Sequence, residues 1–309
     1  MTGSRHPLPT DIVALVSFDG RVHPNEARPR DRLGIDDRAH PLEGALEQWL
    51  SFATGKHTWL NVKGATIRGL VTARRRAKRT AWEVEMLIDT DCDSFVVESL
   101  FGRMTSGVMK HGAERIFLRV DEGSAVANAA RAAGFFAYQK ETLYCISSPP
   151  GSGTADAPLR PRAKHDLHAI FQLYGRTVPA NVRAIEGVTL KEWQAAQEKW
   201  GGRPQDFLLE EDGIVSAYLR AVPGTTGRFG VLADTNRGSL DAIVRFALGR
   251  LRRSERMLCL VPDYDTALAN ALEDLGFEAA GRYTVMAKRL TRPVAEVAQE
   301  SAKEALTVS

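Results

Sequence analysis

At 309 residues the chain has room for about two domains of roughly 150 residues, each able to bury a core. Its 41 Lys and Arg against 38 Asp and Glu leave a net charge of only +3, which argues against a strongly basic nucleic-acid binder. Three cysteines with no CxxC spacing exclude a disulfide framework and a zinc knuckle, as suits a reducing compartment.

In chain order, the first half predicts helical segments at Asp31–Leu33 and Leu42–Phe52. Strands follow at Thr58–Val62, Gly69–Arg75 and Trp82–Ile88. A helix over Phe95–Lys110, a strand at Arg115–Val120, an alanine-rich helix at Ala125–Ala133 and a strand at Tyr138–Ile146 complete the half. The run Ser147–Pro158, SSPPGSGTADAP, has the Pro, Gly and Ser of an exposed linker. The second half opens with two or three helices in Ala163–Trp200, where Trp193, Ala196 and Trp200 share one face. Strands at Asp206–Leu209 and Ile214–Ala221 flank Glu211-Asp212-Gly213, and Asp-Gly between apolar runs is a hairpin signal. A strand at Arg228–Ala233, a helix at Ser239–Leu251 and an apolar strand at Met257–Val261, buried on both faces, come next. A second alanine-rich helix and a strand at Arg282–Lys288 end the half, and Thr291–Ser309 is a loose helix or a disordered tail. The expected division is a first domain at 1–147, a linker at 148–158, a second domain at 159–292 and a flexible tail at 293–309.

The two halves end alike. Gly123–Ile146 reads GSAVANAARAAGFFAYQKETLYCI and Asp265–Leu290 reads DTALANALEDLGFEAAGRYTVMAKRL. Each is an alanine-rich amphipathic helix, a Gly-Phe pair and a strand, so Gly134-Phe135 and Gly276-Phe277 mark one point of an internal repeat. Helices, three antiparallel strands, then helix, strand, helix, strand make an α/β class with an α+β mixed sheet. This order, and the Gly-Phe ending above all, resembles the GNAT acetyltransferases over nearly all of both halves. The chain thus resembles a tandem GNAT protein, with two GNAT-like acyl-CoA N-acyltransferase domains. The resemblance implies a sheet whose fourth and fifth strands splay to admit the pantetheine arm of acetyl-CoA. It implies a pyrophosphate resting on amides at the next helix start, the generic anion site of a helix N-terminus. It implies acetyl transfer from the thioester to an amine, with a base or water chain taking the amine proton and often a tyrosine protonating the thiolate.

The family's phosphate loop reads Arg/Gln-x-x-Gly-x-Gly/Ala. Its counterpart in the second half is Arg237-Gly238-Ser239-Leu240-Asp241-Ala242, preceded by Leu232 and Ala233 at the end of the fourth strand. Arg237 and Ala242 fit; Leu240 stands where the central glycine belongs, and Asp241 adds a charge. Gly238 and Ser239 partly compensate, and Ser239 is a good helix cap. Leu232, Ala233, Arg237, Gly238, Ser239, Leu240 and Ala242 are the expected cofactor-binding residues. The first-half loop, Asp89-Thr90-Asp91-Cys92-Asp93-Ser94, has no glycine and three aspartates that repel a pyrophosphate, so that half is expected to lack the cofactor site. The same aspartates do not make an EF-hand, because Ser94 and Leu100 stand where glycine and glutamate are required; no metal is expected.

The family's acid tyrosine corresponds to Ala130 and Leu272, so neither half keeps it, and Tyr264, which lies nearby, is a candidate substitute. Glu83 and Glu85 alternate onto one face of their strand and are candidates to hold an amine or act as base, as is Asp234 at the end of the fourth strand of the second half. The basic run Arg74-Arg75-Arg76-Ala77-Lys78-Arg79 is expected to be a solvated hairpin tip.

The resulting expectation is an acetyl-CoA-dependent N-acyltransferase, with the second half as the catalytic one. Its acceptor is a small-molecule or peptide amine. The alternative is a catalytically silent GNAT-like module that binds a partner or ligand. No run approaches the ~18 apolar residues of a membrane span and MTGSRHPLPTD lacks a signal peptide's apolar core, so a cytoplasmic protein is expected, a monomer whose two copies form a pseudo-dimer.

Overall fold

The computed structural model describes residues 2–11, 14–15, 18, 23–34, 55–64, 66–90, 93–147, 158–237 and 239–291. The expected helix at Leu42–Phe52, nearly all of the expected linker, Gly238 and the expected tail lie outside them.

The first half contributes β1 (Thr2–Arg5), β2 (Lys56–Lys63), β3 (Thr66–Arg75), β4 (Ala81–Asp89), α1 (Ser94–Lys110), β5 (Arg115–Asp121), α2 (Val126–Ala132) and β6 (Phe136–Ile146). The second contributes β7 (Arg160–Pro161), α3 (Leu167–Thr177), α4 (Ala180–Glu186), α5 (Leu190–Ala196), β8 (Gln205–Glu211), β9 (Ile214–Val222), β10 (Thr226–Ala233), α6 (Leu240–Arg250), β11 (Arg256–Pro262), α7 (Thr266–Asp274) and β12 (Glu278–Arg289). The structure exceeds the sequence expectation in β1, which pairs with β2, in the short β7, which pairs with β8, and in β12, which begins at Glu278 instead of Arg282. No described helix is long and apolar enough to cross a membrane.

Local chemistry explains most boundaries. Asp93 caps α1 by accepting from Phe95 N at 2.9 Å, and Asp265 caps α7 by accepting from Leu268 N at 3.1 Å. The β8–β9 hairpin turns through Asp212 and Gly213, both at positive φ, as a two-residue primed turn requires. The repeated Gly-Phe pair is a helix stop. Gly134 and Gly276 sit at φ 87° and 85°, and the following amides donate back to Ala130 O at 2.9 Å and Leu272 O at 3.0 Å. This is the bond pattern of a Schellman motif, whose accompanying apolar contact is the buried Phe135 or Phe277. Ala130 and Leu272 are themselves fully buried, so the position to which the resemblance assigns an acid is a core position in both copies.

The two halves share one twelve-stranded sheet, ordered β1-β2-β3-β4-β5-β12-β6-β11-β10-β9-β8-β7. Its centre is an exchange of last strands. β12, from the second half, pairs with β5 of the first, with Met286 opposite Leu118. β6, from the first half, pairs with β11 of the second, with Leu258 opposite Cys145. The two exchanged strands also pair with each other, antiparallel. Met286 closes the apolar core of the first half, beside Trp82, Phe101 and Phe135. Tyr144 and Ile146 enter the core of the second, beside Phe229 and Phe277. Each half thus depends on a strand encoded in the other. Residues 158–291 produced alone are expected to aggregate or unfold, because β11 is left with an open edge. Co-production with residues 1–147 should restore a soluble complex; a cooperative thermal transition from the lone fragment would refute this dependence.

Candidate functional site

β10 and β11 run parallel and pair only from Thr226–Phe229 against Arg256–Cys259 before they diverge. On its other side β10 stays laddered to β9 through Ala233, and Asp234 N extends that ladder to Ser216 O at 2.9 Å. Alternate residues of an antiparallel ladder face away from it, so the backbones of Val231 and Ala233 face the gap. A cavity of 180 Å³ opens at this divergence. Val231, Leu232, Leu260, Pro262 and Tyr264 line its near side, and Tyr174, Glu186, Trp193 and Trp200 wall it from the helical segment. The exchanged β6 closes it with Tyr138, Gln139 and Glu141.

β4 and β5 diverge in the same way, pairing only over Ala81–Glu83 against Arg115–Phe117. Here the gap is filled by the chain itself. Asn25 donates to Glu85 O at 3.1 Å and accepts from Leu87 N at 2.9 Å. Glu26 N donates to Leu87 O and Arg28 N to Arg119 O, each at 2.8 Å. Asn25 and Ala27 are buried. The edge backbones that the resemblance assigns to a cofactor arm are therefore occupied by protein in the first half and open in the second.

Glu186 is the residue that sequence reasoning missed. It ends α4, where Gly187 at φ 148° turns the chain so tightly that a Cβ there would meet Trp193 N at 2.3 Å. Arg115 of the first half fastens this end, donating to the carbonyls of Ile185 and Glu186 at 2.9 Å each. Tyr138 Oη donates to Glu186 Oε1 at 3.2 Å. Glu186 meets solvent only partly, and protein surrounds its carboxyl; burial pushes it up to about 7, against the pull of Arg76 and with the repulsion of Glu198 and Glu141. Tyr264 lies in the same field: burial, then Glu186 and Glu141, push its hydroxyl well above the usual range, and it stays protonated. A carboxyl raised toward neutrality and a hydroxyl held protonated thus line one cavity.

The other expected residues fall into three places. Glu83 and Glu85 do share a face, but that face is buried and holds ion pairs. Arg74 contacts Glu83 at 2.6 Å and Glu85 at 3.0 Å, Arg76 contacts Glu83 at 3.1 Å, and Lys56 and Arg32 reach Glu85 at 3.3 and 3.2 Å. Neither lines the cavity. Asp234 accepts from Asn236 N at 3.2 Å in the turn after β10 and lies outside the cavity lining. Leu232 lines the cavity, whereas Ala233 packs against the apolar core. Ser239 caps α6 by accepting from Ala242 N at 3.4 Å, and Asp241 is paired with Arg245 at 2.8 Å. The amides of Leu240 and Asp241, in the first turn, have no intrahelical partner, and Arg237 precedes them. The basic run is not a solvated tip throughout: Arg74 and Arg76 are buried in carboxylate pairs, because the β3–β4 hairpin packs against the second half. Among the described residues no group of three or more His, Cys, Asp or Glu is arranged to hold a metal.

No family model and no curated protein matches the sequence. Solved structures do match its fold. A GCN5-related N-acetyltransferase from Sphaerobacter thermophilus superposes with a TM-score of 0.55 at 15% identity, covering 93% of this chain and 95% of that one. A candidate acetyltransferase from Pyrococcus horikoshii superposes with a TM-score of 0.52 at 11% identity, covering 94% and 90%. With the repeated element order and the paired strand divergences, these matches establish that the chain has the GNAT N-acetyltransferase fold in two consecutive copies.

Proposed function

We propose that the protein is an acyl-CoA-dependent N-acyltransferase whose second half carries the reaction on a primary amine. The observation behind this is the open β10–β11 divergence leading into a cavity that presents Glu186 and Tyr264 together. The gap-facing backbones of Val231 and Ala233 and the first-turn amides of α6, with Arg237, would hold acetyl-CoA; the ion pair to Arg245 offsets the charge of Asp241. Bound there, acetyl-CoA supplies the acyl thioester. Glu186 accepts the proton of the amine, and Tyr264 donates a proton to the departing sulfur. Arg115 and Tyr138 keep the Glu186 carboxyl in place. The first half supplies walls and a strand and no second cofactor site, since Asn25–Arg28 occupies its gap.

Isothermal titration of the full chain with acetyl-CoA tests this. One site per chain is expected; no heat and no thermal shift at millimolar ligand would reject the proposal. The buried Ala130 and Leu272 favour the second reading, a silent binding module. Acetyl transfer to any amine in a substrate screen would rule it out.

A further inference from the structure

Among the described residues, the acceptor cavity has two buried polar atoms with no partner, Gln139 Oε1 and Tyr174 Oη. Their residues are only 8% and 4% exposed. The orientation of Gln139 is fixed by chemistry: its Nε2 donates to Glu141 Oε1 at 2.8 Å, and an ionised carboxylate can only accept. Its Oε1 is therefore an acceptor awaiting a donor. A buried polar atom left unpaired is destabilising, and such groups in native proteins call for an explanation. A ligand that brings a donor provides one.

The rest of the wall narrows the ligand. The cationic side chains around the cavity are already paired with carboxylates. Arg119 meets Glu141 and Glu198, Arg76 meets Glu83 and Glu198, and Arg30 meets Glu198. Arg220 is bound to Asp206 at 2.7 Å. A substrate carboxylate would meet no uncommitted arginine here. Tyr174, Trp193, Trp200 and Tyr218 line the cavity with aromatic rings, Tyr174 packed on Trp193 and Arg220 lying over Trp200 and Tyr218. The volume of 180 Å³ is just above the ~150 Å³ of a cavity that takes benzene. That suits one ring with a short arm.

The geometry points to an arylalkylamine as the acceptor: a single aromatic ring with a hydrogen-bond donor, a short amine arm and no carboxylate. This rests on the transferase assignment above, in which Glu186 faces the amine. The ring lies among the aromatic walls and its donor answers Gln139 Oε1 or Tyr174 Oη. The site is built jointly by the halves, since Gln139 belongs to the first and Tyr174 to the second.

The test is calorimetric titration of the full chain with tyramine, phenethylamine, L-tyrosine and spermidine, with and without CoA. Tyramine is expected to bind at least about tenfold tighter than L-tyrosine and spermidine, and about fivefold tighter than phenethylamine, which lacks the ring donor. Tyr174→Phe should weaken tyramine about fivefold while leaving the thermal midpoint unchanged or raised, because it deletes an unpaired hydroxyl. A merely structural tyrosine would do the reverse. Absence of tyramine binding in both conditions, equal or tighter binding of L-tyrosine or spermidine, or an unaltered affinity in both Tyr174→Phe and Gln139→Leu would overturn the inference. Tyramine binding without acetyl transfer would refute the transferase assignment alone; acetyl transfer to other amines without tyramine preference would refute the acceptor class alone.

Discussion

Glu186→Gln is expected to lower kcat/KM for acetyl transfer by about 10²–10³-fold, the usual worth of a positioned general base. Glutamine keeps the shape of the side chain and still accepts from Tyr138, but it cannot take a proton. The pH profile separates this from a structural effect. A base works only when ionised, and burial holds the Glu186 carboxyl at about 7, so the parent rate should rise with pH through about 7 and then level. The variant should lose that limb. Stability should move the other way. The folded carboxyl titrates above its unfolded value of 4.5, so it binds more protons folded than unfolded, and Glu186 subtracts stability as pH rises from 4.5 to about 7. Glu186→Gln should then be at least as stable as the parent above pH 7. Full activity with an unchanged pH profile would remove Glu186 from the mechanism.

Glu198→Ala is expected to cost about 3–5 kcal/mol of stability, the usual loss when one partner of a buried ion pair is deleted. Its side chain is 12% exposed and accepts from Arg119 at 2.8 Å, Arg76 at 3.2 Å and Arg30. Burial opposes its charge, yet Arg119, Arg30 and Arg76 outweigh that and hold the carboxyl well below the usual range. The three arginines come from the first half, and Glu198 follows α5 of the second, so the cluster clamps the halves across the cavity. Without the carboxylate, three guanidinium groups crowd together with only part of their partners left. Urea unfolding of the full chain measures the loss; a change below about 1 kcal/mol would show that the clamp is not a source of stability. Glu198 adds its stability above its unfolded titration range and loses it as pH falls toward its depressed folded value, so the gap between parent and variant should shrink in acid.

Much of the fold is legible in the chain because its signals are local. Asp212-Gly213 turns the hairpin where the dipeptide says it should. Asp93, Ser239 and Asp265 cap helices whose apolar spacing already shows them. Met257–Val261 reads as a strand buried on both faces, and it is. The Gly-Phe repeat is a Schellman stop with a buried phenylalanine, all of it within six residues of chain. Period-two alternation also places Glu83 and Glu85 on one face. It does not say what that face meets, and Arg74 on the neighbouring strand takes both.

The site is less legible for the same physical reason. Glu186 is an unremarked glutamate at the end of a short helix until Arg115, Tyr138 and the surrounding carboxylates bury it and raise its titration. The exchange of β6 and β12 has no local signal at all. They are the same element of a repeat, so either fits the slot of the other, and alternation scores both pairings alike. Periodicity, caps and turn residues act over a few residues and set which elements form and where they stop. Strand partners, the filled gap at Asn25–Arg28, the ion pairs on Glu198 and the cavity shared by both halves depend on groups brought together from distant parts of the chain. Their energies come from desolvation and contact, which exist only after the chain has packed.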